Sequence, residues 1–286
     1  MKSMNRHQVQ ETLVKLNLKP KKSLGQHFLV DAQVLNKIIS EANLNKEDII
    51  VEVGTGLGVL TTELSSKVKQ VYSYEIDFRL FQYTSQKLSS LSNVEFFNED
   101  ILKTKIPYHN KVVSNIPYTI TGPLFEKVFY NEHPPEGILI IENTLADRIF
   151  DSETYKKSSR ISVSFNAFMN PIKKTPISPN SFYPTPKIKL ALIKVKGKEK
   201  LNPFLLENET RRFFLALVAG IMPYKNKNII NALEIFLNNK LAVSIPKKSL
   251  LPFLKQHNIQ NTKVFEFNID ELIKLCAQLF NWLENW

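Results

Sequence analysis

Cysteine is almost absent from this chain of 286 residues: the only one is Cys276, so no internal disulfide and no cysteine-cluster metal site can form. It lies in an apolar stretch of helical spacing, Leu272 to Leu283, where a thiol serves as a small buried hydrophobe. Long hydrophobic runs are missing as well. Nothing approaches the roughly 20 uninterrupted apolar residues of a membrane span, and the polar stretch Met1 to Asn17 lacks the apolar core of a secretory signal. Internal repeats and low-complexity tracts are lacking. These absences predict a cytoplasmic protein that stays off the membrane, with no metal site. Acidic residues are in deficit, 27 against 38 Lys and Arg, which leaves a net charge of +11. Such an excess points to a polyanionic partner. Glycine is scarce too, at 8 residues, so where it clusters is informative.

With 43% apolar residues the chain is long enough for one catalytic domain and a smaller appendage. Three of the glycines fall in Gly54-Thr55-Gly56-Leu57-Gly58, directly after the β-branched run Ile49-Ile50-Val51-Glu52-Val53 and before Val59 to Leu64, which has helical spacing. A strand, a tight glycine turn and a helix set backbone N–H groups against a bound ligand. The dinucleotide pattern would require glycine at position 59, which is Val59. The order Glu-x-Gly-x-Gly-x-Gly from Glu52 is instead that of a methionine-nucleoside cofactor site.

The following apolar run, Val71 to Ile76, contains Glu75 about twenty residues past the glycines, where a nucleotide site carries its ribose-binding acid. Asp77 competes for that role, and Glu75 is preferred. After a third run, Val94 to Phe97, comes Asp100, an acceptor for an adenine amine, with Ile101 to pack on the ring. A fourth, Val112-Val113, ends in Asn115-Ile116-Pro117-Tyr118. Asn115 offers a side-chain carbonyl, Pro117 a rigid turn with its own carbonyl free, and Tyr118 a ring on which a base can stack. Together they suit the gripping of a flat base with an exocyclic amine.

In these features the chain resembles the rRNA adenine-N6 dimethyltransferases, the KsgA-type small-subunit enzymes and their Erm-type relatives. The resemblance covers about residues 19 to 196 and also includes Leu24-Gly25-Gln26-His27-Phe28-Leu29 and Ser181-Phe182-Tyr183-Pro184-Thr185-Pro186-Lys187. It implies that His27, Leu29, Gly54, Gly56, Glu75, Asp100, Ile101 and Asn115 contact S-adenosylmethionine. It also implies that Tyr118 and Phe182 flank the target adenine, while Asn115 and Pro117 accept its N6 hydrogens. The expected activity is dimethylation of adenine N6 in small-subunit rRNA, by a monomer that takes part in ribosome biogenesis. Position 27 is His where many members have Asn, Ile116 replaces the Leu usual in small-subunit enzymes, and the basic stretch of the C-terminal part is reduced to Tyr224-Lys225-Asn226-Lys227-Asn228. An Erm-type large-subunit methylase and a non-catalytic RNA-binding assembly or transcription factor on the same fold stand as alternatives. A DNA adenine methyltransferase is disfavoured by Ile116, where such a corner usually carries proline.

The implied fold is α/β, a Rossmann-like sheet in residues 1–197 with a basic N-terminal arm, and a helical domain over 198–286. Asp31 should cap a helix running to Asn43, and further helices are expected at 121–130 and 142–150. Asp151 to Lys157 is expected to form a loop near the site. Arg160 should begin another element and face RNA, and Phe165, Phe168 and Met169 belong to the core. Lys187 to Lys196 is expected to be the antiparallel last strand. Helices are predicted at 211–219, 228–237, 247–256 and 269–283. Lys19-Pro20-Lys21-Lys22-Ser23 is either an RNA contact or a solvated arm, and Lys225, Lys227, Lys240, Lys247 and Lys248 form a phosphate-docking set.

Overall fold

The structure, a computed structural model, describes residues 3–151, 159–240 (Lys240 by its backbone alone) and 245–284. The loop expected at 151–157 therefore lies, after Asp151, outside the described residues, as does the Lys240 side chain. The chain forms two compact units, Met1–Phe129 with His133–Asp147 and Asn170–Gly197, and Tyr130–Glu132 with Arg148–Met169 and Lys198–Trp286. Residues 130–132 and 148–169, assigned from sequence to the first domain, thus belong with the second.

In chain order the elements leading to the first unit's sheet are α1 (Arg6–Lys15), β1 (Phe28–Leu29), α2 (Ala32–Ala42), β2 (Ile49–Val53), α3 (Val59–Ser65), β3 (Gln70–Tyr74), α4 (Phe78–Lys87), β4 (Val94–Phe97), β5 (Lys111–Asn115), α5 (Thr121–Val128), β6 (Glu136–Glu142) and α6 (Asn143–Phe150). After α7 (Arg160–Phe168) come β7 (Met169–Ile177), β8 (Phe182–Tyr183) and β9 (Leu190–Gly197). Seven strands lie in the order β4-β3-β2-β5-β6-β9-β7, while β1 and β8 form a separate antiparallel pair. Strands β4 to β6 are mutually parallel, and β9 runs antiparallel to β6. Such a sheet is covered on both faces, so Ile50, Val51, Val112, Val113 and Ile138 to Ile141 are all buried.

Helix α2 shows how the local sequence docks onto this sheet. Asp31 accepts from the N–H groups of Gln33 and Val34, a cap worth about 1 kcal/mol. Val34, Leu35 and Ile38 recur at helical spacing and are buried in the core with Ile138 and Ile140. The helix stops at Asn43, which takes the left-handed conformation at φ 44°.

Two elements depart from the expectations. Strand β9 is antiparallel but not last, because β7 lies outside it. Pro171 and Pro176 disguise β7 as a loop, and an edge strand is where proline is tolerated in a sheet. The polar N-terminus is also no loose arm: Asn5 and Gln8 close a capping box on α1, and Val9 and Leu13 are buried with Phe28, Leu57 and Leu80.

The second unit is helical, with α7 joined by α8 (Asn208–Ile221), α9 (Ile229–Lys240), α10 (Lys247–Gln256) and α11 (Ile269–Glu284). Phe214, Leu217, Phe236, Leu272, Cys276 and Leu279 are fully or almost fully buried there, as are Phe165, Phe168 and Met169.

Candidate active site

At the carboxyl ends of β2, β3 and β5 the first unit opens into a cleft, the place where an α/β sheet binds its ligands. After Val53 the chain turns through Gly54, Gly56 and Gly58 with φ of 85°, 57° and 77°, a left-handed path that glycine follows without steric cost. The Gly56 N–H donates to Glu75 Oε2 at 2.9 Å, and the Asp77 N–H donates to Oε1 at 3.0 Å. Each carboxylate oxygen keeps a lone pair for a ligand hydroxyl. Burial pushes the Glu75 carboxyl up despite these two N–H bonds, and the neighbouring Asp77 charge adds to the rise.

Of the two competing acids, Glu75 lines the cleft and Asp77 does not. Asp77 is spent on Lys21 at 2.8 Å, Gln26 at 3.1 Å and the Arg79 N–H at 3.1 Å. Lys21 is correspondingly an internal partner. Beneath the glycine turn, Glu52 is 1% exposed and accepts from Thr61 at 2.6 Å and Ser73 at 2.7 Å. Burial raises its carboxyl to about 7.

Beyond β4, Asp100 and Ile101 also line the cleft, and Asp100 Oδ1 accepts the Leu102 N–H at 3.0 Å. Ile76, which the sequence reading overlooked, lines it while remaining 53% exposed. An apolar residue directly after a strand-end acid was the available signal, since it offers one face for a flat ring. Gly25 was missed as well. Its φ is 61°, and a Cβ there would lie 3.3 Å from the Tyr118 nitrogen. The Leu24–Phe28 segment can approach the Asn115 corner so closely only because this residue is glycine.

Asn115, the last residue of β5, carries the most telling geometry. Its Nδ2 donates to the His27 carbonyl at 3.0 Å, while its Oδ1 is buried and has no partner among the described residues. Leaving a buried acceptor bare costs about 1–3 kcal/mol, which a ligand donor would recover. His27 Nδ1 lies 2.6 Å from the Pro184 carbonyl, which can only accept, so Nδ1 carries a hydrogen. The His27 ring stacks on Tyr118 at 5.8 Å and 27°.

Four residues expected at the site meet a different geometry. The Pro117 carbonyl is not free, since it accepts the Ile120 N–H at 3.1 Å and keeps one lone pair, whereas the Ile116 carbonyl has no partner among the described residues. Tyr118 lines no part of the cleft; its ring rests on His27 and the core, with its hydroxyl buried and unpartnered among the described residues. Phe182 and Leu29 also lie outside the cleft lining. The β1–β8 ladder sets Leu29 opposite Phe182 and Phe28 opposite Tyr183, and opposed residues share a face. Leu29 and Phe182 accordingly turn to the core, where Phe182 is fully buried, and Phe28 is the residue that reaches the cleft.

Residues 17–266 match the family model described as ribosomal RNA adenine dimethylase. The chain belongs to that family. Ribosomal RNA small subunit methyltransferase A of Thermotoga maritima is 34% identical, over 83% of this chain and 82% of its own. The probable ribosomal RNA small subunit methyltransferase A of Thermococcus gammatolerans is 30% identical, over 93% and 92%. Among solved structures, a dimethyladenosine transferase from Plasmodium falciparum matches with a TM-score of 0.72 at 24% identity, covering 89% of this chain and 98% of that one. The 23S rRNA methyltransferase ErmE matches with a TM-score of 0.60 at 24% identity, covering 88% and 99%. At such identity these two structures establish the fold, a Rossmann-like methyltransferase sheet. Membership in the dimethylase family makes the chain an enzyme that takes its methyl group from S-adenosylmethionine. The residues present suit that cofactor: a glycine turn, a buried strand-end carboxylate with lone pairs to spare, and Ile76 and Ile101 to pack on a purine.

Proposed function

We propose that this enzyme dimethylates N6 of adenine in small-subunit ribosomal RNA and that Asn115 grips the amine that is methylated. The observation that carries this reading is the bare, buried Oδ1 of Asn115 in a cleft lined by Gly54, Glu75 and Asp100. S-adenosylmethionine, when bound, supplies a methyl group already activated on sulfur. Glu75 holds the ribose hydroxyls, Asp100 accepts from the cofactor's amine, and Ile76 and Ile101 pack on its ring. His27 bounds the other side of the cleft.

The amine is the difficult partner, because its lone pair is delocalised into the purine. Asn115 Oδ1 accepts one N6–H, and a backbone carbonyl at Ile116 or Pro117 accepts the other, drawing the nitrogen toward a pyramidal form. Positive charge developing on N6 meets the same carbonyl dipoles, which are already in place, and after transfer one N6 proton leaves to water. A singly methylated amine has one N–H left, and Asn115 alone can hold it for the second transfer. Tyr118 supports the corner from behind His27, and Phe182 lies in the same core cluster.

The small-subunit assignment rests on the names of relatives at 30–34% identity, whereas the likeness to ErmE is one of fold. Exposed Lys227, Lys247 and Lys248 of the second unit supply points for phosphate contact. On this reading the enzyme acts as a monomer in the cytoplasm, with a cleft lined by one compact unit. No helix among the described residues is long and apolar enough to cross a membrane. Incubating separated 30S and 50S material with methyl-labelled cofactor tests the reading. Label should enter adenines of the small-subunit RNA as N6,N6-dimethyladenosine; label confined to 50S RNA would favour the Erm-type alternative, and no incorporation would favour a non-catalytic assembly factor.

A further inference from the structure

We infer that Arg6, in the first turn of α1, is a positioning residue for Asn115, acting through the 180–185 loop and His27. The inference rests on the reading of Asn115 as the amine acceptor. Arg6 Nη2 lies 3.1 Å from the Asn180 carbonyl, 3.0 Å from the Phe182 carbonyl and 3.3 Å from Thr185 Oγ1. Its guanidinium also sits over the Tyr183 ring, 5.6 Å from the centroid. These contacts bracket Pro184, whose carbonyl accepts from His27 Nδ1 at 2.6 Å. Pro184 and Pro186 have no N–H with which to anchor their own loop, so a donor from outside must fix the direction of its carbonyls. A guanidinium, with its fixed fork of N–H groups, is suited to that task.

The relay then reaches the acceptor. With its ring tied to Pro184, His27 presents its own carbonyl to Asn115 Nδ2 at 3.0 Å. This last bond decides which end of the Asn115 amide faces the cleft. Held as it is, the side chain offers Oδ1, an acceptor for an N6 hydrogen. Turned over, it would offer an NH2 group, a donor facing another donor, and the grip on the amine would become a repulsion. Arg6 thus acts from α1 on the group that touches substrate, without touching it.

Helix α1 has independent anchors, which separate this role from plain folding. Val9 and Leu13 are buried against Phe28, Leu57 and Leu80, and at the far end Arg79 donates to the Leu16 carbonyl at 2.5 Å. Two variants therefore pull the explanations apart: Arg6→Gln frees the loop, and Arg79→Ala unhooks the other end of the same helix. The readouts are single-turnover methyl transfer at saturating RNA and cofactor, and the ring 15N shifts of His27 in the free enzyme, assigned with His27→Asn.

For Arg6→Gln we expect a rate lower by about tenfold, the scale of a small misplacement of a reacting group, and loss of the single Nδ1–H tautomer. Arg6→Lys should recover part of both, and Arg79→Ala should change neither. Wild-type rate and tautomer in Arg6→Gln would overturn the inference, and so would an equal loss in Arg79→Ala. If Arg6→Gln only weakened RNA binding, with its rate restored at saturating RNA, Arg6 would be a phosphate contact instead. Should Arg6→Gln fail to fold, the 15N spectrum of Arg6→Lys decides: a lowered rate with an unperturbed tautomer overturns the relay, whereas a rate and tautomer that move together support it. Asn115→Ala separates the two levels: its loss of activity beside a normal Arg6→Gln sinks the relay alone, whereas normal activity in Asn115→Ala sinks the reading beneath it.

Discussion

The two ends of β5 are chemical opposites within five residues. At its start, buried Lys111 spends all three donors, on the Ala42 and Asn43 carbonyls at 3.0 Å and on Asp48 Oδ2 at 2.9 Å. At its end, Asn115 uses its amide N–H and leaves its Oδ1 bare. A buried charge is tolerable only when it is paired, so the Lys111 end is closed and serves to tie α2 and the loop after it to the sheet. A buried acceptor without a donor costs stability, and such a cost is retained where a ligand will meet it. One strand thus carries a stabilising end and, on the proposed function, a working end.

The largest expected effect strikes the closed end. Lys111→Ala should destabilise the protein by about 3–5 kcal/mol in urea denaturation, since it strands Asp48, while activity per folded molecule stays near wild type. A milder loss would mean that water reaches Asp48. The acid limb sharpens this. Burial works to raise the Asp48 carboxyl, but hydrogen bonds from Lys111, Asn110 and Asn45 outweigh it and hold the group below its ordinary 3.8. A depressed carboxylate contributes stability above its unfolded value and loses it as pH falls through the folded one. The deficit of Asp48→Asn should therefore be greatest at neutral pH and shrink in acid; a deficit independent of pH would show that the charge contributes nothing.

At the open end, Asn115→Ala should lower single-turnover transfer about 10²- to 10³-fold, the scale for losing one preorganised dipole. Stability should hold or rise and cofactor affinity should change less, as isothermal titration would report. Glu75→Ala should weaken S-adenosylmethionine binding about ten- to a hundredfold, the worth of hydrogen bonds to a charged group; unchanged affinity would remove it from the ribose site. Lys21→Ala should do least, within about 1 kcal/mol of stability and with no change in cofactor affinity, since Lys21 is half exposed and the buried Asp77 keeps its bonds from Gln26 and the Arg79 N–H. A sharp loss of affinity there would revive Asp77 as a ligand group.

Much of this cleft was legible in the chain because the ends of strands line it. Glu75, Asp100 and Asn115 each follow a β-branched or aromatic run, and the glycines at 54, 56 and 58 announce a turn that side chains would block. Less legible were contacts joining distant segments. Polar α1 gave no sign that Arg6 would reach residues 180–185, and Pro171 and Pro176 hid an edge strand. Phe182 looked like a clamp because it is aromatic within a motif, yet the pairing of β1 with β8 turns it inward.

Periodicity, glycine spacing and the residues at strand ends, all local properties of the chain, were enough to determine the α/β architecture and a cofactor cleft, while the family chemistry followed from the resemblance of its motifs. Which face a side chain takes, which acid stays open, and which end of the Asn115 amide looks into the cleft were decided only by the tertiary structure. Each of those outcomes hangs on a hydrogen bond or strand register between residues far apart in sequence, and no local pattern encodes such a meeting.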